Sequence, residues 1–148
     1  MNLTQRAYGI LINEAQEVLV SDEFRFGRYF RKFPGGGVEK GEGIIDALKR
    51  EFQEELSLEI DAYEFLFFND YFQLSSFDPF PQVTCFYYLV QCSGATDMAL
   101  NSYDIPLTED GEKQQWMVTD KYTGIITDGN GMISATINTS RLVNVKAR

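Results

Sequence analysis

GGGVEKGEGIIDALKREFQEELSL, residues 35–58, sets three consecutive glycines just before a helical pattern that carries Glu51, Glu54 and Glu55. At about 100° per residue these glutamates share an arc of roughly 100°, while Ile45, Leu48, Phe52 and Leu56 fill a neighbouring arc of about 80°. The pattern predicts a helix from Ile44 to Leu56, ending near Ser57, with an apolar stripe beside a carboxylate stripe. Like charges at these spacings cost an isolated helix about 0.2–0.5 kcal/mol per pair. Lys49 and Arg50 could offset that cost on a plain solvated face. So could a hard divalent ion, which takes oxygen ligands and commonly joins one or two carboxylates to substrate phosphates.

Around this stretch the chain alternates strand patterns with turns. RAYGILIN (6–13) and EVLVS (17–21) flank the polar NEAQ and predict a hairpin. The proline and glycines of FPGGG are expected to stop any regular element. YEFLFFNDYF (63–72) and QVTCFYYLVQC (82–92) are apolar on both alternating faces, the mark of strands covered on both sides. SSFDPFP reads as a loop, and the polar segment from Ser93 to Gln115 as a long irregular connection. WMV (116–118) predicts a short strand, and GMISATINTSRLVNV a closing helix with Ile133 and Ile137 turned inward. The expected fold is α/β, a mixed central sheet between helices, in one domain over 1–148.

Composition narrows the function. The chain has 148 residues, 44% hydrophobic and 24% charged, which suits an ordinary globular protein. A net charge of −9 argues against gripping the backbone of a nucleic acid polymer. A small phosphorylated ligand remains compatible where a bound cation reverses the local field. No apolar run approaches the length of a membrane span, and the N-terminus lacks a signal-peptide pattern. Cys85 and Cys92 are expected on opposite faces of one strand, unpaired, in keeping with a reducing cytoplasm. With no histidine, a histidine-rich zinc site cannot be built.

Gly36, Glu42, Arg50, Glu51, Glu54, Glu55 and Leu58 fall at the spacings of GX5EX7REUXEEXGU, in which U is a bulky aliphatic residue. In this respect the chain resembles the Nudix hydrolases, of the MutT-like kind, and every charged position of their box is met. Phe52 departs from the aliphatic position and Ser57 from the terminal glycine, where serine in a left-handed conformation adds strain on the order of 1 kcal/mol. The resemblance implies an α/β/α sandwich and hydrolysis of a diphosphate linkage in a nucleoside diphosphate joined to another group, with Mg2+ or Mn2+. By the family pattern Glu54 and Glu55 are the main metal ligands, with Glu51 a further ligand or the base. Arg50 braces these carboxylates, Glu42 supports the loop or shares the metal, and Gly36 lies in the backbone path beside it. A further acid comes from Glu109, Asp110 or Glu112, with Glu112 or Asp110 preferred.

Arg25, Arg28, Arg31 and Lys32 form a basic cluster that either meets substrate phosphate and sugar or lines a solvated edge. Tyr29, Phe30, Tyr71 and Phe80 either stack on a base or fill the core. Family members are often homodimers. The rival reading is a Nudix-like module that binds a nucleotide without cleaving it; a further one is an acidic protein-interaction domain. Signatures outside the box that mark particular substrates find no clean match here.

Overall fold

The computed structural model describes residues 2–75, 81–98, 100–118, 124–127 and 133–137. Among these residues, nine strands and one α-helix run in the order β1 (Leu3–Leu11), β2 (Glu17–Arg25), β3 (Arg28–Lys32), β4 (Gly35–Gly37), α1 (Ile44–Leu56), β5 (Ala62–Phe68), β6 (Gln82–Gln91), β7 (Gly111–Val118), β8 (Gly124–Thr127) and β9 (Ile133–Ile137). A mixed sheet has the order β4-β1-β6-β5, and an antiparallel one the order β3-β2-β7. β1 and β6 run parallel from Leu3 opposite Gln82 to Leu11 opposite Val90. No helix among the described residues is long and apolar enough to cross a membrane.

Alternation along β1 and β6 builds two cores. Tyr8, Ile10, Val83, Cys85, Tyr87 and Leu89 face one way and pack with Val18, Val20 and Phe33. Ala7, Leu11, Tyr88 and Val90 face the other way and meet Leu48 and Phe52 of α1, with Leu19 alongside. Cys85 and Cys92 fall in different cores and form no disulfide with each other, as the strand alternation requires.

α1 keeps its expected limits, and its apolar stripe is what holds it on the sheet. Phe52 is fully buried, and its ring lies where a Cβ on Gly9 would come within 2.5 Å. The oversized aromatic of the helix is thus accommodated by a glycine on β1. Ser57 ends the helix at φ 53°, ψ 36°, and its N–H donates back to the carbonyl of Gln53. A Cβ in that left-handed region costs energy that glycine avoids. Ser57→Gly is expected to stabilise the fold by about 1 kcal/mol in denaturant unfolding, with an unchanged m-value.

Several expectations give way to the structure. Residues 6–13 and 17–21 meet in a turn but not in a ladder: only Ile12 bridges to Val18, and β1 and β2 then part into different sheets. The glycines do not stop regular structure; Gly35–Gly37 form β4, paired with Tyr8, Ala7 and Arg6. β5 is an edge strand with Tyr63, Phe65, Phe67 and Phe68 exposed, so the segment is not covered on both faces. Apolarity on both faces reported composition there, not burial. The connection after Cys92 is shorter than expected because β7 begins at Gly111 and pairs with β2 along its whole length. The helix expected over 131–145 is contradicted where the structure describes it, since Ile133–Ile137 form β9, paired with β8. The β-branched residues of that stretch favour strand over helix.

Candidate active site

Pairing of β4 with β1 brings the glycine loop against α1. A Cβ on Gly36 would stand 2.5 Å from a carboxylate oxygen of Glu51, so only glycine lets that side chain lie on the strand. Arg50 then ties loop to helix. Its Nε donates to Glu42 at 3.0 Å and its Nη2 donates to the other Glu42 oxygen at 2.6 Å, a two-pronged grip. Nη2 also reaches the carbonyl of Gly37 at 2.9 Å, and Nη1 donates to Glu51 at 3.0 Å and Glu54 at 3.2 Å. These bonds from Arg50, and the N–H of Glu39, hold the Glu42 carboxyl below its usual pKa.

On the inner side stands a second charge cluster. Lys32 Nζ lies 3.5 Å from Glu55, 3.6 Å from Glu112 and 4.0 Å from Glu23, and donates to the carbonyl of Gly35 at 3.2 Å. Burial opposes the charge on Lys32, but Glu55 and Glu112 outweigh it and raise its pKa. Burial pushes Glu55 up to about 8 against the pull of Lys32, with Glu112 and Glu51 adding to the rise. Glu23 is likewise raised by burial. Lys32, and Arg25 at Glu23, only partly offset the burial of Glu55 and Glu23, so both carboxyls titrate above their ordinary range. Ser21 donates its hydroxyl to Glu112 at 2.6 Å and fixes that carboxylate.

Glu51, Glu54, Glu55, Arg50, Glu42 and Gly36 are thereby brought together, and Glu112 joins them from β7 rather than from a loop. Glu109 and Asp110 lie before that strand and are exposed. Glu54 turns outward, its side chain 60% exposed, onto Arg50. Among the described residues, no three acidic side chains close around one point as a finished cage. The donors still fit a hard cation: they are all carboxylate or backbone oxygen, and Glu54 is free of packing that would stop it turning inward.

The basic cluster divides by strand parity. Arg25, paired with Glu23 at 2.7 Å, Arg28 and Lys32 share the face of the acids. Arg31 and Tyr29 lie on the opposite face, both donating to Asp22 at 2.7 Å. Tyr103 and Gln115 complete this network on Asp22 at 2.8 and 2.7 Å. Burial opposes ionisation of Asp22, but hydrogen bonds from Arg31, Tyr29, Gln115 and Tyr103 prevail and lower its pKa. Phe30 is buried, Tyr71 is exposed, and Phe80 falls outside the described residues. Sequence reasoning missed Glu23, Ser21 and Asp22. Consecutive polar residues inside a strand opposite a basic strand were the available signal. A cavity of about 500 Å3 opens elsewhere, walled by Leu11, Val90, Cys92, Met98 and Trp116, and holds none of these acids.

A glycine strand beside a carboxylate-striped helix, locked by one arginine, defines a Nudix-type site. The family model described as the NUDIX domain matches residues 3–125, and the chain belongs to this family. No curated protein is significantly similar to it. Among solved structures it resembles a MutT chain from a study of the Aliivibrio salmonicida and Vibrio cholerae proteins, at 23% identity and TM-score 0.53, over 79% of this chain and 81% of that one. The Escherichia coli ORF135 protein is similar at 18% identity and TM-score 0.55, over 80% and 75%. A MutT protein of Bacillus halodurans is similar at 19% and 0.54, over 80% and 70%. At these identities the likeness is one of fold.

Proposed function

We propose that the chain, as one domain over 1–148, is a metal-dependent Nudix hydrolase of the cytoplasm. It would cleave the diphosphate linkage of a nucleoside diphosphate joined to another group, such as a nucleoside triphosphate or nucleotide sugar. The observation that carries this reading is Arg50, whose guanidinium joins Glu42, the Gly37 carbonyl, Glu51 and Glu54 in one bonded unit. A merely solvated acidic face has no need of that lock. Glu54 and Glu55 would hold Mg2+ or Mn2+, with Glu51, Glu42, Glu112 and the backbone at Gly36 around them. Such an ion, when bound, would supply charge neutralisation at phosphate oxygens and a lowered pKa for a water, the chemistry that attack in line on phosphorus needs.

This chain's own groups do the rest. Arg50 would orient the carboxylates, and Glu51, held against Gly36, would be either a further ligand or the base that takes the proton of the attacking water. Arg25 and Arg28 stand on the same face for the remaining phosphate. Arg31 and Tyr29, bound to Asp22 on the opposite face of the sheet, would brace that face rather than meet the substrate, contrary to the expectation from sequence. A homodimer is supported by the open aromatic edge β5, and light scattering tests it.

The test is nucleotide or phosphate release from nucleoside triphosphates, nucleotide sugars, ADP-ribose, dinucleotides and dinucleoside polyphosphates, with Mg2+, Mn2+ or EDTA. Turnover of one class that EDTA abolishes is expected. Silence across the panel, with a nucleotide still raising the melting temperature, would replace the hydrolase with a binding module.

A further inference from the structure

Lys32 is 4% exposed, on a strand whose partners carry carboxylates aimed at it. Its ammonium is met by Glu23 from β2, Glu55 from α1 and Glu112 from β7, so one charge joins three other elements. An isolated buried ammonium is expensive, and a hydrocarbon of the same length would fill this space without that cost. Packing alone therefore gives no reason for a lysine. The carboxylates do, because without a cation they would repel one another in a desolvated pocket.

We propose that Lys32 is a resident cation of the acidic site, a positioning residue that holds Glu55 and Glu112 together in the absence of metal and limits how tightly a divalent ion binds there. The proposal rests on the reading of Glu54 and Glu55 as metal ligands. It adds that the inner half of the site is already partly neutralised. A divalent ion enters against a positive neighbour, so the site favours a substrate-bridged metal over a permanent one.

Lys32→Met keeps the length of the stem and removes the charge. Its Mn2+ affinity, titrated by electron paramagnetic resonance on the full chain at about pH 8.5, above the window in which Glu55 holds a proton, is expected to tighten about tenfold, the scale for one nearby charge in a partly screened site. In EDTA its melting temperature should fall, and Mn2+ should raise it further than in the wild type. Lys32→Arg, which keeps the charge, should bind Mn2+ within about threefold of the wild type. A purely structural lysine would leave affinity unchanged or weaken it in Lys32→Met, and either result overturns the proposal. If Lys32→Met does not fold, Lys32→Met with Glu23→Gln restores the balance. That double variant should fold and bind Mn2+ within about threefold of the wild type; failure in either respect overturns the proposal. Wild-type protein that binds no Mn2+ would sink the metal-site reading itself, and this inference with it.

Discussion

Glu54→Gln and Glu55→Gln should each reduce metal-dependent turnover at least about a hundredfold, roughly 2.7 kcal/mol of transition-state stabilisation, while the fold survives. The substitution changes charge and donor character but barely changes shape. Glu54 is largely exposed, and its bond to Arg50 is a surface ion pair, worth at most about 1 kcal/mol. Glu55 is enclosed, yet burial already favours its neutral acid, which a neutral amide resembles. Neither variant has cause to unfold, so lost turnover would report lost ligation. Circular dichroism and melting curves in EDTA check the fold, and steady-state rates on the responsive substrate check the chemistry. Near-wild-type rates in both variants would remove these carboxylates from the metal site.

The helix and its two stripes were legible because an amphipathic pattern, a glycine run before it and a polar residue after it all point to the same limits. The outer half of the site was legible for the same reason: Glu42, Arg50, Glu51 and Glu54 sit on one helix and the loop leading into it. The inner half was legible only in part, in Glu55 and, through the family resemblance, Glu112; Glu23 and the meeting of these acids with Lys32 were not. Glu23, Lys32 and Glu112 come from three strands, and their convergence depends on β2 taking β3 on one side and β7 on the other. Pairing across a sheet is a long-range choice that a local pattern does not encode. The parting of β1 from β2 was hidden likewise. Two apolar runs around a polar turn describe a hairpin whether its strands stay paired or separate after one bridge. β5 shows the opposite failure, because aromatic residues on both faces imitate a covered strand when the strand is an exposed edge.

The pH dependence of metal binding should be unusually steep for a protein of carboxylates. Glu55 in the folded chain is pushed up to about 8 from 4.5, chiefly by burial. For an acid the sign follows directly. Between about pH 4.5 and 8 the folded state holds a proton that the unfolded chain has released, so without metal, stability falls as pH rises through that window. The slope from one such proton reaches about 1.4 kcal/mol per pH unit. A divalent ion needs the carboxylate, so its binding expels this proton. Mn2+ affinity should therefore rise by up to about tenfold per pH unit and level off above pH 8. The chain has no histidine, so no imidazole contributes to this window. Glu23, also raised by burial, accounts for whatever slope survives in Glu55→Gln. Mn2+ titrations at half-unit steps from pH 5.5 to 8.5, with melts in EDTA at each step, measure both trends. A wild-type affinity that stays flat across pH 6–8 would mean that Glu55 is ionised before the metal arrives, held so by Lys32, and that the ammonium prevails over burial in this pocket.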